Sequence, residues 1–161
     1  MKTCAYCGTE IEQLYCSFCE MELTERYILQ DGKRLSNAID FFPDLQGIFK
    51  NTSDLLKLET IELLCLLRHA RNYRTDIYRL RILGHKAEEQ GGDVEEIQMK
   101  SYNDYEEATR KMWVLENIIK DRIGYYPQKV TEQFLSMYLD RIEKSQKKKM
   151  TIKKAVVKNG S

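Results

Sequence analysis

Apolar residues recur at alternating spacings of three and four through the middle of the chain. Between residues 54 and 89 there is no proline, and the one glycine is Gly84. A 3.5-residue period of apolar positions is typical of the seam of a coiled-coil-like helix. We therefore predict a long helix over residues 54–89, with the seam Leu63, Leu66, Ala70, Tyr73, Ile77, Leu80 and Gly84.

Two further helices are predicted towards the C-terminus. Gly124 marks the end of the second helix, because glycine commonly ends a helix. Pro127 marks the start of the third helix, because proline suits the first turn. The second helix then covers residues 95–123 and the third covers residues 127–147. The apolar face of the second helix is formed by Tyr105, Ala108, Met112, Leu115 and Ile119. That of the third helix is formed by Val130, Phe134, Met137, Tyr138 and Ile142.

The short turn at Gly91 and Gly92 predicts that the first two long helices form an antiparallel hairpin. The fold class is therefore mainly α: a small N-terminal four-cysteine module, then this hairpin, with a third helix packed against it. We expect the module at residues 1–22 and a connector with short helices at 23–53, including one near Leu23–Leu29. The helical body is expected at 54–147 and a basic, flexible tail at 148–161.

Composition agrees with a helical, globular protein. The chain has 161 residues with only 2 Pro and 8 Gly, which argues against a loop-rich or many-stranded β architecture. No run reaches the 18 or so uncharged apolar residues of a membrane-spanning helix, and the N-terminus does not have the pattern of a signal peptide. We therefore expect a cytoplasmic protein with no membrane partner.

Four of the five cysteines lie within the first 19 residues, at the spacing Cys4-x2-Cys7, eight residues, then Cys16-x2-Cys19. In a reducing compartment such a cluster favours a metal site over a pair of disulfides. Two residues between cysteines allow both thiolates to bind one ion, and four thiolates suit a closed, structural Zn²⁺ site. The fifth, Cys65, lies in an apolar helical run and is interpreted as a buried core residue.

The segment Cys-Ala-Tyr-Cys-Gly, followed by Tyr-Cys-Ser-Phe-Cys, resembles the short zinc ribbons found on many bacterial proteins. The resemblance covers about residues 1–22 only. Ala5 stands where that family usually has proline, and Glu20 stands where it usually has a second glycine. The resemblance implies one structural zinc and a role in binding protein or nucleic acid. An iron site of rubredoxin type and a redox-active dithiol pair are the alternatives.

Charge divides the chain into blocks although the whole carries a formal charge of only +1. Residues 61–86 carry six basic and two acidic groups, whereas residues 87–107 carry one basic and eight acidic groups. We expect the two blocks to face each other across the hairpin, with Arg74 near Glu106 or Glu107 and Arg79 near the start of the second helix. Such pairs select register more than they add stability.

Three groups of residues are candidate partner contacts. Arg71, Arg74 and Arg81 line one face of the first long helix, either as a phosphate-contact surface or as an intramolecular flank of the acidic helix. The tail begins with Lys147, Lys148 and Lys149, which suit nucleic acid, an acidic protein or anionic lipid, or serve only solubility. Aromatic residues at helix junctions often cover the edge of a core or lie in an interface. Trp113, Tyr125 and Tyr126 are therefore candidate interface residues.

The sequence has no phosphate loop, dinucleotide fingerprint or nucleophile elbow. Its two histidines, His69 and His85, lie on nearly opposite sides of one predicted helix. We therefore expect no enzyme and no small-molecule substrate. The leading hypothesis is a non-enzymatic adaptor or regulator that acts through protein–protein contact or self-association of the helical body. The alternative is a nucleic-acid-binding regulator that uses the ribbon, the arginine face and the lysine tail.

Overall fold

The computed structural model describes residues 1–153, and these fall into two compact units. One unit contains residues 1–38 together with residues 140–153, and the other contains Ile39–Leu139. Each unit has its own cluster of buried apolar residues. Most of the predicted tail, from residue 154 to its end, lies outside the described residues.

The N-terminal unit is built from four short strands, β1 (Lys2–Cys4), β2 (Tyr15–Cys16), β3 (Met21–Glu22) and β4 (Ile28–Gln30). β1 pairs antiparallel with β4, and β2 pairs antiparallel with β3. The buried Thr3 stabilises the first pair, because its hydroxyl donates to the carbonyl oxygen of Leu29 and accepts from the amide of Gly32.

The short helix predicted at Leu23–Leu29 is present only as a 3-10 helix over Glu25–Tyr27, and the residues that follow form strand β4. A short apolar run has no periodicity that separates a helix from a strand. Pairing with β1, which lies more than twenty residues earlier in the sequence, decided between them. The cysteine module consequently extends beyond residue 22, to the end of β4.

The second unit contains the two long helices, α2 (Thr60–Glu89) and α3 (Glu95–Ile123), packed as a hairpin. This confirms the predicted mainly α architecture, and α3 has the predicted bounds. Gly91 has a φ of 86°, in the left-handed region that the turn requires and that glycine adopts without strain. Gly124, with a φ of 85°, ends α3 in the same way.

The first long helix begins later than predicted. Residues Thr52–Leu55 form a separate turn of helix, α1, whose first backbone amides are capped by the Asn51 side chain. α2 then starts at Thr60, where Glu59 and Glu62 form a reciprocal capping box. A capping box satisfies the free amides at a helix N-terminus, so the chain begins a new helix there.

The third helix, α4 (Glu132–Lys147), also begins later than the predicted residue 127. The hydroxyl of Thr131 accepts a hydrogen bond from the amide of Phe134 at 3.1 Å, as an N-cap residue does. Pro127 lies buried in the loop before it. The start of α4 packs against α2 and α3 through Leu135, with Phe134 and Tyr138 beside it.

The apolar seam of α2 is buried as far as Ile77 but not beyond it. Leu63, Leu66, Ala70 and Ile77 are buried as predicted, but Leu80 is 60% exposed. A straight α-helix has 3.6 residues per turn, so a 3.5-residue pattern rotates away from the partner helix by about 20° per heptad. Arg81 contacts the aromatic rings of α3 in place of Leu80.

No helix within residues 1–153 combines the length and the apolar character needed to cross a bilayer.

Candidate metal centre and partner surfaces

The four N-terminal cysteines converge at one point. Strand β1 ends at Cys4 and strand β2 ends at Cys16, and the turn after each strand carries Cys7 and Cys19. All four Sγ atoms lie within 4.8 Å of one another. Cys4 and Cys16 are buried, and together with Ile11 and Leu23 they form the apolar core of this unit.

The distances between the sulfur atoms fit a single tetrahedral metal ion. The Sγ atoms of Cys4 and Cys19 lie 4.0 Å apart, and those of Cys7 and Cys16 lie 3.5 Å apart. A regular tetrahedron with metal–sulfur bonds of about 2.3 Å has sulfur–sulfur edges of about 3.8 Å. A disulfide would require about 2.05 Å. The cluster is therefore shaped to bind one metal ion with four sulfur ligands.

The residue after the second cysteine of each pair has a positive φ. Gly8, after the second cysteine, has a φ of 75°, and its amide donates to the carbonyl oxygen of Cys4. Glu20, after the fourth cysteine, has a φ of 54°. The amide of Cys19 donates to the Sγ atom of Cys16 at 3.4 Å. The second turn thus keeps the left-handed conformation although a glutamate replaces the usual glycine.

Replacing Glu20 with glycine is expected to stabilise the metal-bound module by about 0.5–1 kcal/mol, since a side chain in the left-handed region is strained. We expect a higher melting temperature and slower metal loss to a chelator. Glu22→Gly is the matched control, because Glu22 lies in the extended strand β3, where glycine weakens pairing. A destabilised Glu20→Gly variant would contradict the strain at this position.

The thiols of the cluster shift one another's pKa values because they lie within hydrogen-bond distance. Burial alone raises the pKa of Cys7, but hydrogen bonds with Thr9 and with the thiols of Cys16 and Cys19 lower this pKa to about 6. The pKa of Cys19 is raised to about 12, first by its hydrogen bond to Cys7, then by burial and by its hydrogen bonds with Cys16 and Cys4. A metal ion that bound all four sulfurs as thiolates would displace the remaining thiol protons and compensate the repulsion between the thiolates.

The fifth cysteine lies apart from this cluster. Cys65 is buried in the core of the helical unit, and its thiol lies 3.6 Å from the carbonyl oxygen of Pro43. Burial raises the pKa of the Cys65 thiol despite the nearby Arg68. A neutral, buried thiol is unreactive, as expected of a core residue. The Nε2 atom of His69 lies 3.2 Å from the same carbonyl oxygen.

Arg71 points into the helical unit. Its Nη2 atom lies 3.0 Å from the Oε1 atom of Glu116 on α3, and its Nη1 atom donates to the carbonyl oxygens of Pro127 and Gln128. Glu116 is only 9% exposed, and the sequence analysis did not identify it. Its spacing of four from Met112 on the apolar face of α3 was the only available indication. Arg71 thus connects α2, α3 and the loop before α4.

Truncation of Arg71 to alanine is expected to destabilise the helical unit by about 2–3 kcal/mol, because it leaves the buried Glu116 carboxylate without its partner. Urea unfolding followed by circular dichroism measures this loss. Arg79→Ala is the control, since Arg79 is exposed and its ion pair is with Asp76 on its own helix. Equal stabilities of the two variants would contradict the structural role of Arg71.

Arg74 and Arg79, which were expected near acidic residues of the second long helix, have other partners. Arg74 contacts neither Glu106 nor Glu107; its guanidinium donates to the hydroxyls of Thr109 and Tyr105, at 2.9 and 2.6 Å. Arg79 pairs with Asp76 on its own helix rather than with α3. The positions of the charges along the two helices were correct, but the rotation of each helix decides which side chains meet.

Arg74 and Arg81 lie over aromatic rings. The guanidinium carbon of Arg74 is 4.9 Å from the ring centre of Tyr105, and that of Arg81 is 5.2 Å from Tyr102 and 5.1 Å from Tyr105. Within residues 1–153 neither guanidinium has a carboxylate oxygen closer than 4.0 Å. Ring faces therefore accommodate these two positive charges. The analysis of the sequence missed both tyrosines as arginine partners.

The three candidate interface aromatics lie in different surroundings. Trp113 is 59% exposed and lines an open groove of about 640 Å³ on α3. Tyr125 is also exposed, whereas Tyr126 packs against the core with Arg71 over its ring. Only Trp113 therefore belongs to an extended surface, which it shares with Tyr102, Tyr105, Glu106, Thr109, Arg110 and Val114.

The candidate lysines lie at and after the end of α4. Lys147 is in its last turn, and Lys148 and Lys149 follow it. In the N-terminal unit the latter two line a cavity of about 260 Å³ together with Lys33, Arg34 and Tyr6. Four positive side chains thus surround one opening beside the first cysteine turn, an arrangement that suits an anion.

Comparisons with family models, with curated proteins and with solved structures found no match to this chain. The likeness of the module to zinc ribbons therefore depends on the cysteine spacing and on the geometry of the cluster.

Proposed function

We propose that this protein is a non-enzymatic cytosolic adaptor or regulator, in which a zinc-bound module supports a helical body that binds protein. The observation that carries this proposal is the groove on α3 around Trp113. Tryptophan, tyrosine and arginine are enriched among residues that dominate binding energy at protein interfaces. All three types meet on this one helix face.

Zinc is the metal that the donor set favours. Four cysteine sulfurs in a tetrahedral arrangement select zinc or iron, and zinc is the common choice for small structural modules. A shell filled by four sulfurs leaves no coordination position for a reacting water, which supports a structural role. Thiol ligands remain reduced in the cytosol, so the same cluster supports a cytosolic location.

The metal assignment has a direct measurement. Elemental analysis of the purified protein is expected to find one zinc per chain, and X-ray absorption at the zinc edge should find four sulfur donors at about 2.3 Å. A nitrogen, oxygen or water donor would contradict the closed structural site and favour catalysis. Iron in place of zinc would favour the rubredoxin-type alternative.

Capture experiments test the binding surface. Immobilised full-length protein is incubated with cell extract, and bound proteins are identified by mass spectrometry. Trp113→Ala should lose the specific partners, because it removes the largest side chain of the groove. Phe41→Ala is the matched control, since it removes an aromatic ring that is 85% exposed and does not line the groove. Identical captured proteins for all three chains would contradict the proposal.

A second candidate function, nucleic-acid binding, has one observation in its favour. The cavity with Lys33, Arg34, Lys148 and Lys149 presents four positive charges beside the exposed ring of Tyr6. The arginine face of α2 supports this function less, because Arg71 and Arg74 donate their hydrogen bonds to groups within the helical unit.

Salt dependence distinguishes the two functions. Affinity for DNA or RNA should fall steeply with salt concentration, in proportion to the phosphates contacted. The double variant Lys148→Gln/Lys149→Gln should bind more weakly, with a slope reduced by about 2. No retention of the unmodified protein on either nucleic acid at low salt would exclude this candidate.

A further inference from the structure

The outward face of α3 carries a repeating row of four side chains. Tyr102, Glu106, Arg110 and Trp113 follow one another at spacings of four, four and three, so they lie along one side of the helix. We call them the outer row. Successive residues rise by about 1.5 Å in an α-helix, so the outer row is roughly 16 Å long.

The outer row is accessible and has a groove on each side. Tyr102 is 52% exposed and Trp113 is 59% exposed. Glu106 and Arg110 form an ion pair of 2.6 Å with each other, and their side chains are 47% and 78% exposed. One groove has about 640 Å³ and the other about 350 Å³. The outer row forms a ridge between these two grooves. When two helices pack, the ridges of each helix lie in the grooves of the other.

The order of chemistries along the outer row is self-complementary. Read forwards it is aromatic, acid, base, aromatic; read backwards it is aromatic, base, acid, aromatic. An antiparallel second copy therefore places Glu106 opposite Arg110 and Tyr102 opposite Trp113, in both directions at once. A twofold interface requires this reciprocity. If a residue of one copy contacts a second residue on the other copy, the same contact must occur with the two copies exchanged.

We infer that the outer row is a homodimer interface, in which α3 packs antiparallel against α3 of a second copy of this chain. This inference rests on the proposed function and names the protein partner. The aromatic pairs supply the apolar contact, and the crossed ion pairs select the antiparallel register. A parallel arrangement is disfavoured because it places Glu106 against Glu106 and Arg110 against Arg110.

Sedimentation of the purified, metal-loaded full chain tests the dimer. We expect a reversible dimer, and Trp113→Ala should weaken it at least about thirtyfold, the effect of a dominant interface residue. Phe41→Ala should leave the dimer unchanged. A chain that remains a monomer at about 100 µM overturns the inference. A dimer that Trp113→Ala does not affect also overturns it.

Charge reversal tests the antiparallel register. Glu106→Arg and Arg110→Glu, made singly, place like charges opposite each other and should each weaken the dimer at least about tenfold. The double variant restores opposite charges and should recover the affinity of the original chain. Failure of the double variant to recover the dimer, while its circular dichroism spectrum is unchanged, overturns the register.

The outcomes for self-association and for protein binding are separable. A monomeric chain that still captures other proteins through Trp113 retains the proposed function and loses only the homodimer. If the original chain and the Trp113→Ala variant are equally dimeric and capture the same proteins, the proposed binding surface and the homodimer interface are both wrong.

Discussion

Cys7→Ser is expected to release the metal and unfold the N-terminal module while the helices persist. The buried core of this module consists of Cys4, Ile11, Cys16 and Leu23. Two of these four residues are cysteines of the candidate metal site, so the apolar area that remains cannot stabilise a fold. Metal binding must supply the stability, on the order of 10 kcal/mol for a structural zinc site. We therefore expect no ordered module without the metal.

The measurements are metal content and far-ultraviolet circular dichroism. The helical signal should largely remain, because the core of Ile39–Leu139 contains none of the four clustered cysteines. Cys65→Ala is the matched control and should keep one metal ion per chain, since Cys65 lies outside the cluster. Collapse of the whole spectrum in Cys7→Ser would show that the module is part of the main core.

Leu66→Lys is expected to lower the free energy of unfolding of the helical unit by at least about 4 kcal/mol. The Leu66 side chain is fully buried, and its Cδ2 atom would lie 2.7 Å from a Cβ atom placed on Gly47. The backbone of Gly47 therefore leaves little space for a longer side chain. A lysine here must bury its ammonium without a partner or distort the packing, and both are costly.

The same substitution at Leu80 provides the control. Leu80 lies on the same helix and is 60% exposed, so Leu80→Lys should change stability by no more than about 0.5 kcal/mol. Chemical unfolding of both variants compares one residue type in two environments. Comparable losses in the two variants would contradict the observed rotation of α2, and an unchanged midpoint for Leu66→Lys would contradict its burial.

The end of α3 was predictable from a local signal, whereas two helix starts were not. Gly124 ends α3 because the left-handed conformation at this position favours glycine, and this preference can be read from the sequence. The starts of α2 and α4 were missed by several residues. Capping at these sites depends on Glu62 and Thr131, and other polar residues nearby offered equally good candidate caps.

The metal site was predictable because its geometry is local. Two residues between cysteines determine how a pair of thiols can converge, so the two pairs formed a plausible single site before any fold was known. The participation of β4 was not predictable. The residues from Ile28 to Gln30 have no cysteine and no clear periodicity, and they belong to the module only through pairing with β1.

The sequence by itself determined that three long segments are helical, that α2 and α3 pair as a hairpin, and which four thiols share a site. These properties depend on spacing along the chain, and spacing is fully present in the sequence. Only the tertiary structure decided that Arg71 meets Glu116, that Arg74 and Arg81 lie on tyrosine rings, and that Leu80 faces solvent. These contacts depend on how each helix is rotated about its axis. That rotation is set by the packing of all side chains together, and the separation of any two residues in sequence does not specify it.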